Sequence, residues 1–148
     1  MINELTILEN LQTTIQEHLN EFLVSQDIWI SDKDVALDFP DPDQMKDSKM
    51  LYIVPDYVNY EALATRNDQS EFRITVFVLC KRNTATNLAT QVFAYSRALY
   101  QTVRKYKELG GIVDFTDVNS MDFYPAVDLN KSVQGMEISL TVRYTKDF

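Results

Sequence analysis

The last segment of the chain, Val133 to Thr145, alternates apolar and polar side chains. The apolar positions are Met136, Ile138, Leu140, Val142 and Tyr144. A period of two predicts a strand with one face against a core and the other toward solvent. The fold must therefore contain a sheet covered on one face, which excludes an all-helical protein.

A second alternating segment, Glu71 to Lys81, places one apolar set on a single face: Phe72, Ile74, Val76, Val78 and Cys80. Its other face is apolar only at Phe77 and Leu79. We expect a helix of this chain or a neighbouring subunit to cover those two side chains. Further strands are predicted at Met50–Pro55 and Ile112–Phe115, with a continuation at Met121–Tyr124.

Two segments have helical periodicity. In the first, Ile2 to Gln26, apolar residues recur at three- and four-residue steps: Leu5, Leu8, Ile15, Leu19, Phe22 and Leu23. The second runs from Thr84 to Lys107, with Asn83, Thr84 and Thr86 as candidate N-caps and Gly110-Gly111 after its end. Its expected buried stripe is Leu88, Val92, Tyr95, Leu99, Val103 and Tyr106.

Polar connectors are predicted at Asp27–Lys49 and Tyr57–Ser70. The resulting order is helix, strands, helix, strands. It predicts an α+β fold in which two long helices pack on one face of a mostly antiparallel four- to five-stranded sheet. The 148 residues suit a single domain spanning 1–148.

The net charge of -8 is unevenly distributed. Residues 1–31 contain no Lys or Arg, and their acids are Glu4, Glu9, Glu17, Glu21 and Asp27. Residues 81–107 contain no Asp or Glu, and their bases are Lys81, Arg82, Arg97, Arg104, Lys105 and Lys107. The second helix is therefore the one basic element of an acidic chain.

Three interpretations of this basic helix remain open. It is a solvated face that complements the helix dipole, a surface that docks on acidic residues of an adjacent copy, or a contact for nucleic acid, which the acidic surroundings oppose. Under the second interpretation, the candidate interface residues are Phe77, Leu79, Lys81, Arg82, Arg97, Arg104, Lys107, Glu9, Glu17 and Glu21.

The residues that carry chemistry are sparse. His18 has no recognisable nucleophile near it, Cys80 ends an apolar strand face, and no phosphate-loop, zinc-protease or nucleophile-elbow motif is present. We therefore expect no enzyme activity, no cofactor and no metal site. One alternative stays open, a ligand site assembled in space from scattered carboxylates, namely Asp114, Asp117, Asp122 and Asp128.

The N-terminus lacks the basic flank and apolar run of a signal peptide, and no apolar stretch approaches the ~20 residues that cross a bilayer. We therefore expect no membrane association and a cytoplasm in which Cys80 stays reduced.

The order of elements carries a resemblance along nearly the whole chain. An acidic N-terminal helix and an extended connector precede the strand EFRITVFVLCKR, the helix NLATQVFAYSRALYQTVRKY follows, and the chain closes on VQGMEISLTVRYTKDF. This arrangement resembles the small tail-terminator and tail-completion proteins of long-tailed bacteriophages and phage-tail-like particles.

The resemblance implies a homo-oligomeric ring, typically a hexamer, at the neck end of a virion tail assembled in a bacterial cytoplasm. The ring would cap the tail tube, stop its polymerisation and join it to the neck and connector proteins, with DNA only as passing cargo. Two alternatives remain. One is a head–tail connector or adaptor that forms no closed ring, and the other is an enzyme or small-ligand binder.

Overall fold

The computed structural model describes residues 3–23, 28–41, 43, 45, 48–62, 67–81, 88–124 and 133–147. Its helices are α1 (Glu4–His18), continued by a 3-10 turn (Leu19–Phe22), a second 3-10 turn (Asp32–Asp34), and α2 (Leu88–Lys105). Its strands are β1 (Val35–Ala36), β2 (Lys49–Ala62), β3 (Asn67–Lys81), β4 (Phe115–Tyr124) and β5 (Val133–Asp147).

The five strands form one sheet in the order β1-β2-β3-β5-β4. The β2–β3, β3–β5 and β4–β5 pairs are antiparallel, whereas β1 runs parallel to β2. The α+β class is thus confirmed, with a mixed sheet. The helices are shorter than expected, with 15 residues in α1 and 18 in α2.

Helix α1 begins where Asn3 caps it, because the Asn3 side chain accepts a hydrogen bond from the Thr6 backbone N–H at 2.8 Å. Its α-helical hydrogen bonds end at His18, so the predicted extent of Ile2 to Gln26 is too long. The predicted apolar face is buried except at Leu5, which is 59% exposed: Ile15 and Leu19 are fully buried, and Leu8, Phe22 and Leu23 are partly buried against the core. The prediction did not include Ile7 and Leu11, which are also fully buried.

The turn after α2 is tighter than the sequence analysis expected. Leu109, Gly110 and Gly111 have φ values of 48°, 79° and 88°, a left-handed run that the two glycines adopt without a Cβ clash. The backbone N–H groups of Ile112 and Val113 then both lie within hydrogen-bonding distance of the Glu108 carbonyl, at 3.1 and 3.3 Å. The predicted strand at Ile112–Phe115 is therefore wrong, and β4 starts only at Phe115.

The predicted connector Tyr57–Ser70 is also wrong where the structure describes it. Strands β2 and β3 extend through most of it and pair from Lys49↔Cys80 to Ala62↔Asp68. The prediction failed because these residues are largely polar and their alternation is interrupted by a register shift between Pro55 and Tyr57. Met121–Tyr124, expected after a turn, belongs to the single strand β4, which has an irregularity between Val118 and Ser120.

Both helices pack on the same face of the sheet, as predicted. The alternating apolar sets of β3 and β5 are all buried there. Four residues of the predicted buried face of α2 are buried with them, namely Val92, Tyr95, Leu99 and Val103. Tyr106 is half-buried, and the Leu88 side chain and the candidate N-caps Asn83, Thr84 and Thr86 lie outside the described residues.

A smaller apolar cluster on the opposite face covers Leu79. It consists of Met45, Tyr52, Leu79 and Val133, with Phe77 partly buried beside it. Met45 belongs to the connector between β1 and β2, so this chain itself covers the apolar middle of β3's outer face. Leu79 is only 3% exposed.

The connector before β2 is held to α1 by side-chain hydrogen bonds. Gln12 donates to the Val35 carbonyl at 2.9 Å, and Asn20 donates to the Ile30 carbonyl while accepting from its N–H, both at 2.9 Å. Asp34, fully buried, lies 3.5 Å from Lys49 Nζ of β2. These contacts hold β1 at one edge of the sheet. They therefore also position Leu37, where the segment after β1 begins.

Candidate assembly interface

The outward surface of α2 carries a regular row of aromatic and basic side chains, which we call the α2 stripe: Phe93, Arg97, Tyr100, Arg104 and Lys107. Their spacing of four, three, four and three residues keeps them on one side of a helix with 3.6 residues per turn, continued into the turn that follows. All five are exposed, Phe93 to 60%. The stripe is thus the solvent-facing counterpart of the buried stripe of α2.

The cations of the α2 stripe are not neutralised within the described part of the chain. Arg104 donates to the Tyr100 hydroxyl at 3.0 Å, and its guanidinium carbon lies 5.6 Å from the Tyr100 ring centre. No carboxylate of the described residues forms an ion pair with Arg97, Arg104 or Lys107. Three positive charges therefore remain available to a partner.

Shallow grooves flank the α2 stripe on both sides. One groove, of about 290 Å³, is lined mainly by apolar atoms of Phe22, Leu23, Ile28, Thr90, Phe93, Ala94 and Arg97. On the side of β4, the exposed ring of Phe123 lies 4.9 Å from the ring of Phe93. Further along, Tyr100, Arg104 and Lys107 face Thr116 and Asp117 across a groove of about 240 Å³.

Strand β1 is one edge of the sheet, and the residues that follow it form a second surface. We call this surface the acidic segment: Leu37, Asp38, Phe39, Pro40, Asp41 and Asp43. Phe39 is 73% exposed. Asp38 accepts from the Phe39 N–H at 2.8 Å and Asp41 from the Asp43 N–H at 3.1 Å, so these carboxylates order their own backbone. No Lys or Arg of the described residues forms an ion pair with them.

These two surfaces lie on opposite sides of the molecule. The acidic segment leaves β1, one edge strand, whereas the α2 stripe borders β4, the other. Four interstrand spacings separate the two edges, which is about 19 Å. A single chain therefore presents an acidic and a basic surface in different directions.

The acids of α1 are arranged differently from the interface prediction. Glu21 accepts from the Tyr106 hydroxyl at 2.9 Å, contacts His18 Nδ1 at 2.5 Å and pairs with Lys105 Nζ at 3.2 Å. These partners, Tyr106 first, lower the pKa of the Glu21 carboxyl. Glu21, in the 3-10 turn that continues α1, thus joins this turn to the C-terminal end of α2 within one chain, whereas Glu9 and Glu17 make no contact with α2 among the interactions of the described residues.

The remaining predicted interface residues lie near the small outer cluster. Phe77 is half-buried and Leu79 is buried, and Lys81 Nζ donates to the Met45 carbonyl at 3.2 Å. Arg82 lies outside the described residues. The structure therefore brings Arg97, Arg104 and Lys107 together on one surface and places Phe77, Leu79 and Lys81 on another.

Sequence reasoning missed Phe39, Phe93 and Tyr100. Phe93 and Tyr100 have the same helical phase as the three predicted cations, so extending the α2 periodicity to aromatic residues identifies them. Phe39 has no periodic neighbours, because it lies in an irregular connector.

The described residues do not assemble a site for chemistry from the scattered carboxylates. Asp114 accepts from the Thr145 hydroxyl at 3.1 Å, Asp117 and Asp122 are exposed along β4, and Asp128 lies outside the described residues. Among the described residues, no group of three or more His, Cys, Asp or Glu side chains can hold a metal ion. Burial raises the pKa of the Cys80 thiol to about 12, which disfavours the reactive thiolate. In the same part of the chain, no helix is long and apolar enough to span a membrane.

Comparison with solved structures finds similar chains. The chain is similar to the sheath/tube terminator of an extracellular contractile injection system, PVC, in its extended state, with a TM-score of 0.47 and 18% sequence identity. The match covers 95% of this chain and 57% of that chain, so this chain spans little more than half of its length. No protein-family model and no curated protein sequence matches the chain.

Proposed function

We propose that this chain is a non-enzymatic structural subunit of a phage-tail-like particle. Its role is that of a tail terminator, a ring-forming protein that caps the tail tube, stops its polymerisation and joins it to the head connector. The proposal rests on one observation: acidic and basic side chains that have no ion-pair partner among the described residues lie toward opposite edges of one sheet. The element order described for the sequence, helix, strands, helix, strands, supports it because the structure retains that order.

Opposite surfaces on one chain favour a head-to-tail contact between copies. In such a contact the acidic surface of one copy meets the basic surface of the next, and the copies form a closed ring when the rotation between neighbours divides a full turn evenly. A two-fold dimer would need the acidic segment and the α2 stripe to lie within one shared interface, whereas they lie toward opposite edges of the sheet. The resemblance to tail-terminator proteins implies a ring of six copies.

The first test is the mass of the purified protein. Light scattering should give a mass several times the 17.2 kDa of one chain, and negative-stain images should show annuli. The second test is tube length. The tail-tube protein of the same particle, polymerised with and without this chain, should give shorter tubes in its presence, and unchanged lengths would refute a terminator role.

A further inference from the structure

We propose that the acidic segment of one copy binds along the α2 stripe of the next copy, with Phe39 in the apolar groove beside Phe93. This inference rests on the proposed function, because it names the contact by which ring subunits would bind one another. The occupant is a second copy of this chain, and three features of the described residues support it.

The first feature is charge. The acidic segment presents Asp38, Asp41 and Asp43, and the α2 stripe presents Arg97, Arg104 and Lys107. Neither set has an ion-pair partner among the described residues of its own chain. Three negative charges therefore face three positive ones when two copies meet, which sets the register and orientation of the contact.

The second feature is length. From Arg97 to Lys107 the helical rise of 1.5 Å per residue gives about 15 Å. From Asp38 to Asp43 an extended backbone spans at most about 17 Å. The acidic segment can therefore follow the stripe along its axis, and Pro40 favours an extended backbone within it.

The third feature is an exposed apolar side chain and an apolar groove that could hold it. Phe39 has the highest exposed fraction, 73%, of the large apolar side chains in the described residues, and Phe93 follows with Leu5 near 60%. The groove beside Phe93 measures about 290 Å³. A cavity of about 150 Å³ holds a benzene ring, so this groove has room for the Phe39 side chain. Because Arg97 also lines this groove, a Phe39 ring bound there brings the adjacent Asp38 close to Arg97 of the neighbouring copy.

The acids of α1 in a neighbouring copy are the competing occupant. Glu21 already bonds Tyr106 and Lys105 of its own chain. Glu9 and Glu17 remain exposed, but no exposed aromatic side chain accompanies them on α1. They therefore provide a matched control of equal charge.

The experiment uses two charge-reversal variants of the full chain, measured by sedimentation velocity over a concentration series. One variant carries Asp38→Lys and Asp41→Lys, and the other carries Arg97→Glu and Arg104→Glu. Each alone brings like charges together, so we expect at least a tenfold loss of association relative to the wild type. Mixed at equal amounts, the two variants should associate again, and all four changes in one chain should restore association as well.

The control variant carries Glu9→Lys and Glu17→Lys, and it should associate like the wild type. Circular dichroism and thermal unfolding of every variant check that the monomer is folded. Loss of association in the control together with wild-type behaviour of the Asp38/Asp41 variant would assign the contact to α1 and overturn the proposal. A wild type that stays monomeric throughout the series, or variants that fail to rescue one another, would also overturn it.

The tube-length assay separates this inference from the proposed function. If the charge-reversal variants rescue one another but the wild type leaves tubes at full length, the contact stands and the terminator role fails. If the wild type shortens tubes and the Asp38/Asp41 variant does so equally, the terminator role stands and this contact is wrong.

Discussion

At the scale of single residues, one ion pair among the described residues has both side chains buried, and it joins Asp34 and Lys49. Asp34 is fully buried, Lys49 is 5% exposed, and Trp29 lies over the ammonium at 4.2 Å from the ring centre. Asp34 Oδ2 also accepts from the Ser31 N–H at 2.8 Å. The pair therefore links β2 to the turn that precedes β1 and so orients the acidic segment.

Removing one partner of this pair should be costly. Asp34→Ala removes the buried carboxylate that contacts Lys49 Nζ and accepts hydrogen bonds from Ser31, and breaking a buried ion pair in this way costs about 3–5 kcal/mol of unfolding free energy. The exposed Asp32→Ala, two residues away, should cost less than about 0.5 kcal/mol. Urea unfolding of the two variants measures both values, and equal stabilities would show that the pair does not hold the connector.

Phe39 gives the second prediction at this scale. Full burial of a phenylalanine side chain contributes about 1.5–3 kcal/mol, so Phe39→Ser should weaken association between copies by about ten- to a hundredfold. The monomer should keep its stability, because the side chain is exposed. Leu5→Ser, at a 59% exposed residue of α1, is the matched control. Sedimentation velocity of both variants measures their association. If the two substitutions weaken association equally, Phe39 does not belong to the contact between copies.

At the scale of elements, the N-terminus of α1 is anchored to the sheet by Glu4. Its carboxylate accepts from the hydroxyl of Tyr144 on β5 at 2.5 Å and from that of Tyr60 on β2 at 2.8 Å. Burial, followed by the hydrogen bond to Glu4, raises the pKa of Tyr144 above its ordinary value of 10.0. The contact thus makes the attachment of α1 sensitive to alkaline pH.

The sign of this effect follows from proton binding. Above pH 10 the unfolded chain loses the Tyr144 proton while the folded chain keeps it, so stability falls as pH rises. The contribution is complete below pH 10 and is lost progressively toward the raised pKa. Tyr144→Phe should therefore flatten the fall in unfolding free energy above pH 10, by up to about 1.4 kcal/mol per pH unit. Urea unfolding at a series of pH values tests this, and identical slopes would contradict it.

The sequence predicted elements well where one face is buried along their whole length. Strand β5 and the apolar face of β3 are of this kind, since each alternating side chain has a core partner. The sequence-based prediction failed where local hydrogen bonds or strand pairing determine the structure. Examples are the tight turn at Leu109 and the pairing of β2 with the part of β3 that precedes Glu71. Polar residues held in a strand by their neighbours leave no periodic signal.

At the scale of the whole molecule, the segregation of charge was readable from sequence but its geometry was not. The basic character of α2 and of the turn after it follows from residues such as Arg97, Arg104 and Lys107, which the sequence alone identifies. Their expected partners were the acids of α1, whereas the structure bonds Glu21 within the chain and exposes the acidic segment at the far edge. This arrangement depends on the order of the strands in the sheet. Strand order is set by contacts between residues that are far apart in the sequence, and local sequence patterns do not specify it.

Salt should affect the charged part and the apolar part of the association between copies differently. Screening shortens the reach of exposed charges from about 10 Å at 0.1 M ionic strength to about 3 Å at 1 M. The charged contact between the acidic segment and the α2 stripe should therefore weaken as sodium chloride rises, by about tenfold over this range. The apolar contact of Phe39 is not screened, so the wild type should retain measurable association at 1 M.

Phe39→Ser makes the salt test specific to the docking geometry. With the ring removed, only the charged component remains, and association of this variant should disappear in high salt while the wild type persists. The variant with Arg97→Glu and Arg104→Glu should show the reverse trend, gaining association as salt screens the like charges. Sedimentation velocity at a series of salt concentrations measures all three proteins. Parallel salt curves for the wild type and both variants would show that the contact between copies lies elsewhere on the molecule.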